Sequence, residues 1–219
     1  MRIKKLIPTY ILDLCLRISA LVGKFLLMLA IARYLTIKVV GDYGLYVSVV
    51  VLSLYFVGLD FYVYTTREML DPNANKKSGE IIANQLLFFV FTYIILAMIW
   101  PGILALSLIP ELGLVLFCLT ITEHLSQECY RILIIKERIT LANFVLFIRS
   151  GFWCYLGVGL LYFIIIGVTE VFKIWLAFSF VSLVFVAFII SKFESTRLND
   201  FIIVVKWILI GVKTSVVFF

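Results

Sequence analysis

Charged side chains lie inside stretches of this chain that are otherwise apolar enough to span a bilayer. Six ionisable residues fall within such runs: Asp13, Arg17, Lys24, Glu123, His124 and Arg149. A charge facing lipid at the bilayer centre costs about 2.5–3.5 kcal/mol, so the five formally charged groups would together cost on the order of 12–17 kcal/mol. A typical domain has a total stability of only about 5–15 kcal/mol. These side chains must therefore face one another or an aqueous cavity.

The composition excludes a soluble globular domain. Hydrophobic residues make up 64% of the 219-residue chain and charged residues only 15%, whereas about a quarter of a soluble domain is charged. No alternating pattern typical of a membrane β-barrel occurs. Four uncharged runs have about the length that crosses 30 Å of hydrocarbon: Tyr43–Leu59, Ile81–Pro110, Ser150–Thr169 and Ile174–Ser191. The sequence therefore predicts an all-α, polytopic membrane protein.

The apolar runs predict a bundle of six transmembrane helices within residues 1–200, followed by the beginning of a seventh span at 201–219, within which the chain ends. The six predicted spans are Ile7–Leu35, Tyr43–Tyr64, Ile81–Leu108, Leu112–Ile135, Leu141–Ile166 and Val171–Ser191. The third span is interpreted as one long helix kinked at Pro101. The longest connecting loop is predicted at Thr65–Glu80.

The cations between the predicted spans indicate the orientation. Ten lysines and arginines lie on the side of the N-terminus, whereas only Lys38 and Lys173 lie on the other side. Cytoplasmic loops carry such an excess, so we expect a cytoplasmic N-terminus. Because the cations lie at span ends and not on one soluble face, a nucleic-acid partner is not expected.

Three charged residues of the first predicted span share one helical face. Asp13, Arg17 and Lys24 fall within roughly 40° of each other at about 100° per residue. One interpretation is an Asp13–Arg17 pair that neutralises itself, with Lys24 reaching towards the interface. Because Lys24 lies about 21 Å along the helix from Tyr10, past the midplane, we favour a stripe that lines a cavity.

The fourth predicted span has the densest polar face. Six polar residues lie within an arc of about 140°: Thr120, Glu123, His124, Gln127, Glu128 and Arg131. A polar clamp between helices needs only one or two such groups, so six favour a substrate pathway over a clamp.

Arg149 lies near the middle of the fifth predicted span. Its guanidinium suits a phosphate or a carboxylate, and the alternative role is that of counter-ion to Glu123 on the neighbouring helix. Gly151, Gly157 and Gly159 are interpreted as sites of close helix packing. The complete set of candidate cavity-lining residues is Asp13, Arg17, Lys24, Glu123, His124, Gln127, Arg131 and Arg149.

No motif for catalysis or metal binding is recognisable in the sequence. The four cysteines form no C-x-x-C pair and the chain has one histidine, so no metal site is indicated. Nucleotide-binding, serine-hydrolase and zinc-protease motifs are missing. We therefore do not expect an enzyme and expect no cofactor, and coupling to H+ or Na+ is left open.

Several short motifs carry a resemblance to a known family. They are Lys24 within the first helix, Ala32-Arg33-Tyr34-Leu35, Gly41-Asp42-Tyr43-Gly44-Leu45-Tyr46, Gly58-Leu59-Asp60, Arg67-Glu68 and the fourth-helix residues Glu123, Gln127, Tyr130 and Arg131. In these the chain resembles O-antigen flippases (Wzx-type polysaccharide biosynthesis proteins) of the multidrug/oligosaccharidyl-lipid/polysaccharide exporter superfamily. The first 70 residues carry the most specific part of the resemblance.

The resemblance implies a transporter in the bacterial inner membrane. Such a carrier flips undecaprenyl-pyrophosphate-linked oligosaccharide from the cytoplasmic to the periplasmic leaflet, by alternating access of two six-helix bundles around a cationic cavity. Its implied partners are the lipid-linked oligosaccharide, membrane lipid, and a C-terminal half-bundle or polysaccharide assembly proteins. Because family members are about twice this long, the chain is expected to be an N-terminal half. The alternatives are a drug or ion antiporter of the same superfamily, a membrane-embedded polysaccharide-assembly enzyme, and a non-catalytic assembly subunit.

Overall fold

The computed structural model describes residues 3–71, 78–105, 112–164 and 166–191, and these residues form helices and no strands. The helices are α1 Ile3–Tyr34, α2 Ile37–Gly58, α3 Phe61–Leu70, α4 Ser78–Ala105, α5 Gly113–Ile135, α6 Ile139–Phe147, α7 Trp153–Phe163 and α8 Val168–Ser191. A π-helical turn, Ile148–Phe152, joins α6 to α7 without a break. The prediction of an all-α chain is confirmed.

Within the described residues, five helices are long and apolar enough to cross a membrane, which supports the predicted multi-pass transmembrane character. The five candidate spans are Tyr10–Tyr34, Ile37–Gly58, Gly79–Ile103, Ile139–Phe163 and Val168–Ile189. The predicted count of six helices is not matched, because the described residues form seven once α6, the π-turn and α7 are counted as one. The additional helix is the short α3. Helix α5 is not among the five candidate spans, because its polar side chains make it less apolar than the others.

The second predicted span, Tyr43–Tyr64, is wrong at both ends. Helix α2 begins at Ile37 and ends at Gly58. It ends there because Leu59 and Asp60 take positive φ angles of 42° and 51°. This left-handed conformation cannot continue a right-handed helix. The chain re-enters a helix at Phe61, so the first part of the predicted loop Thr65–Glu80 is helical instead.

The other predicted spans agree with the structure to within a few residues. Helix α4 runs through Pro101 as one helix, as expected. The fifth span, predicted at Leu141–Ile166, contains the π-turn, which the sequence pattern did not reveal. The predicted seventh segment, 201–219, and the domain boundary at residue 200 lie outside the described residues.

The described residues fall into two compact units, one within residues 1–50 and 111–186 and the other within residues 51–110 and 187–219. In the first unit the core contains Leu27, Ile31, Trp153, Leu161 and Val171. In the second unit Phe61 of α3 stacks on Phe88 of α4 with ring centroids 4.2 Å apart. All eight candidate site residues belong to the first unit.

Small residues allow α1 to lie close to the α6–α7 helix. A Cβ atom on Gly151 would lie 2.7 Å from the Cα atom of Ala20, and one on Gly157 would lie 3.0 Å from Leu27. The predicted packing role of these two glycines is confirmed. Among the described residues, Gly159 has no neighbouring atom within 4 Å of such a Cβ position, so these residues give it no packing role.

Candidate functional site

Glu123, in the middle of α5, joins three helical segments of the first unit. Its Oε1 atom accepts a hydrogen bond of 2.8 Å from the indole Nε1 of Trp175, and a second from the hydroxyl of Ser179, both on α8. Its Oε2 atom lies 3.6 Å from Nη1 of Arg149, in the π-turn. The side chains of the ion pair are only 10% (Arg149) and 8% (Glu123) exposed. The ion pair that the sequence offered as one role for Arg149 is therefore present.

Arg149 lies within the π-turn Ile148–Phe152. A π-turn adds a residue to the helical repeat and so shifts the faces on which the following side chains lie. Nη1 of Arg149 also donates to the backbone oxygen of Glu123, at 3.3 Å. Gly151, in the same turn, permits the close approach of α1. One short segment thus positions a buried cation and sets a helix crossing.

The polar face of α5 continues towards its C-terminal end inside the unit. Glu128 pairs with Arg131, and its Oε1 atom lies 4.0 Å from Nε2 of His124. The Ser126 hydroxyl donates to the backbone oxygen of Ser179, at 3.3 Å. Glu128, His124 and Ser126 are buried. Polar groups inside and apolar groups outside are the arrangement that a lipid environment requires.

The charged residues of α1 contact a different helix, α6. Asp13 is buried, and its Oδ2 atom accepts a hydrogen bond of 3.5 Å from the hydroxyl of Thr140. Arg17 is exposed and donates from Nε to Oδ1 of Asn143, at 2.9 Å. Among the described residues, Asp13 and Arg17 form no ion pair with each other. The interpretation as a self-neutralising pair is therefore wrong.

Lys24 lies on the same side of α1 as Arg17 and is also exposed. Within the described part of the chain Lys24 has no ion-pair or hydrogen-bond partner. The eight candidate residues thus fall into two groups. The α5 group consists of Glu123, His124, Gln127, Arg131 and Arg149, and the α1 group consists of Asp13, Arg17 and Lys24.

An open groove of about 480 Å³ lies between α5 and α8, but none of the eight candidate residues lines it. Its lining is apolar apart from Thr122 and Lys173 and includes Ile121, Leu176 and Phe180. A cavity shared by all eight residues stays a prediction. In the described part of the chain, no group of three or more His, Cys, Asp or Glu side chains could hold a metal ion.

Sequence reasoning missed the partners of the charged groups. Trp175 and Ser179 are spaced i, i+4 on α8, which places both on one helical face and is a usable signal. Asn143 and Thr140 are polar residues at the start of an apolar span, and this pattern alone did not distinguish them from interfacial residues.

Comparison of the chain with protein-family models, with curated proteins and with solved structures gave no match. The apolar helices and the buried polar side chains define the class of this chain as a multi-pass helical membrane protein with a polar interior.

Proposed function

We propose that this protein is a carrier of lipid-linked oligosaccharide. In this proposal it moves an undecaprenyl-pyrophosphate-linked repeat unit from the cytoplasmic to the periplasmic leaflet of a bacterial inner membrane by alternating access. The chain supplies one half of the carrier, and α5, the fourth span in chain order, crosses the membrane together with the five apolar helices. The N-terminus is cytoplasmic.

The observation that carries the proposal is the pair of exposed cations on α1. Arg17 and Lys24 are seven residues apart, so they lie within about 20° of each other and about 10.5 Å apart along the helix. Helix α1 is apolar enough to span a membrane. Placing a cation in contact with lipid inside the membrane is unfavourable in free energy, so this face of α1 needs an anionic or aqueous partner. A pyrophosphate on a lipid carrier supplies that anion.

The charge balance supports reversible binding of such an anion. Glu123 is paired with Arg149, and Glu128 with Arg131, so neither pair adds net charge to the interior. In the α1 group, Arg17 and Lys24 exceed Asp13 by one positive charge. A small net positive charge attracts a pyrophosphate without holding it so tightly that release becomes impossible.

The test is binding of undecaprenyl diphosphate to the full chain in lipid nanodiscs, measured by native mass spectrometry. Arg17→Ala and Lys24→Ala are each expected to weaken binding about 10- to 100-fold, as expected for one charge-assisted hydrogen bond. Arg33→Ala is the matched control, because Arg33 is an exposed arginine in the last turn of the same helix. Equal affinity of the wild type, Arg17→Ala and Lys24→Ala for undecaprenyl diphosphate would reject the proposal.

A flipping assay tests the claim that this chain is one half. The exposed face of α1 needs a facing surface, and alternating access needs a second body to move against. The 219 residues alone are therefore expected to insert but not to restore surface glycan in a flippase-deficient strain. Restoration by this chain without a partner would contradict the half-carrier proposal.

A second candidate function is an ion-coupled antiporter of the same superfamily. His124 and Glu128 favour it, since two titratable side chains lie 4.0 Å apart in the interior of α5. Proton-dependent drug efflux by the chain, lost in His124→Gln and unaccompanied by undecaprenyl diphosphate binding, would support this alternative over the flippase.

A further inference from the structure

Asn143 is a buried amide whose one observed partner is an exposed cation. Its residue exposure is 0%, and its Oδ1 atom accepts the hydrogen bond of 2.9 Å from Nε of Arg17. Its Nδ2 atom is buried and has no hydrogen-bond partner among the described residues. Sequence analysis did not select this residue.

Helix packing alone gives no reason for asparagine at this position. A buried amide nitrogen without a partner lowers stability, whereas leucine has the same branching without that penalty. The neighbouring positions Ala142 and Val145, which are also buried, are apolar. Asparagine at 143 is therefore better explained by what it does to Arg17.

The hydrogen bond fixes one side of the Arg17 guanidinium. It occupies Nε, and Arg17 makes no further hydrogen bond or ion pair within the described residues, so both terminal nitrogens are left to a ligand. Guanidinium is planar, so holding one nitrogen restricts the plane in which the other two donate. Lys24 provides a second cation on the same face of α1, two helical turns after Arg17.

We infer that Asn143 is a positioning residue that holds Arg17 so that Arg17 and Lys24 together select a diphosphate ester over a monophosphate ester. This inference rests on the proposed function, in which both cations bind the lipid carrier's pyrophosphate. A diphosphate has two phosphoryl groups and can engage both cations at once. A monophosphate engages one of them. Because the Arg17 guanidinium is restricted before the ligand binds, Arg17 and Lys24 can contact the two phosphoryl groups of a diphosphate at the same time.

The experiment compares farnesyl diphosphate with farnesyl monophosphate as probes, using titration calorimetry on the full chain in detergent micelles. Asn143→Leu is expected to weaken diphosphate binding about tenfold, since a long side chain must now be immobilised on binding. Monophosphate binding is expected to change less than about twofold, so the selectivity falls. The melting temperature is expected to stay level or rise, because the unpartnered amide is removed.

The matched control is Tyr155→Phe. Tyr155 donates a hydrogen bond of 2.7 Å to the backbone oxygen of Ser19, so it also links α1 to the α6–α7 helix. Loss of this link is expected to leave the selectivity between the probes unchanged. If Asn143→Leu folds poorly, Arg17→Lys tests the same point, because lysine keeps the charge but has no Nε to be held.

A double-variant cycle separates positioning from packing. In an Arg17→Ala background, Asn143→Leu is expected to have no further effect on diphosphate affinity. An additive effect, or equal weakening of both probes, would overturn the inference. If Arg17→Ala and Lys24→Ala leave diphosphate affinity unchanged, the proposed function itself fails. If they weaken it and Asn143→Leu does not, only the role of Asn143 is refuted.

Discussion

Replacing Glu123 by glutamine is expected to leave the buried guanidinium of Arg149 without a counter-ion. Glutamine has nearly the same shape, and its Oε1 atom can still accept the hydrogen bonds from Trp175 and Ser179. The substitution removes the negative charge and replaces the Oε2 atom, which lies 3.6 Å from Nη1 of Arg149, by an amide NH2 group that cannot accept a hydrogen bond. Both side chains of the pair are about nine-tenths buried, so solvent can do little to compensate.

The free energy of unfolding should fall by about 3 kcal/mol. Removing one partner of a buried ion pair costs about 3–5 kcal/mol, and the lower end applies because Arg149 also bonds the backbone oxygen of residue 123. The double variant Glu123→Gln/Arg149→Met removes both charges and should recover most of this loss. The coupling energy between the two sites is then about 2–3 kcal/mol.

The measurement is reversible unfolding in mixed micelles, with dodecyl sulfate as denaturant and tryptophan fluorescence as the signal. Lys173→Met is the control, since Lys173 and Glu170 form an exposed pair at 3.9 Å that should contribute less than about 1 kcal/mol. A loss below about 1 kcal/mol for Glu123→Gln, or a double variant no more stable than the single, would refute the buried-pair argument.

Two further predictions concern helix packing and orientation. Gly151→Ala should destabilise the protein by about 1–3 kcal/mol in the same unfolding assay, because the added Cβ meets Ala20. Gly159→Ala should be neutral or stabilising. Equal effects of the two substitutions would contradict the packing geometry. Cysteine introduced as Asn75→Cys into a cysteine-free chain should react with an impermeant maleimide only from the cytoplasmic side. Labelling from the periplasmic side would show the orientation to be wrong.

The sequence determined the class of fold. Lipid offers backbone groups no hydrogen-bond partner, so a segment that crosses a bilayer is a helix or a strand of a closed barrel. Runs such as Val168–Ser191 lack the alternating pattern of barrel strands, which leaves the helix. The cost of charge in hydrocarbon applies equally to Asp13, Arg17, Lys24, Glu123 and Arg149. Of these, Asp13, Glu123 and Arg149 are buried, whereas Arg17 and Lys24 are exposed. These conclusions need only the composition and period of one helix at a time.

The tertiary structure decided which groups pair. Spacing within α1 allowed Asp13 to pair with Arg17, yet their partners are Thr140 and Asn143 of α6. Helical periodicity gives the direction of a side chain around its own axis, but not the rotation and axial position of the neighbouring helix. Those two quantities follow from side-chain packing at crossings such as Ala20 against Gly151, which the sequence of a single span does not contain.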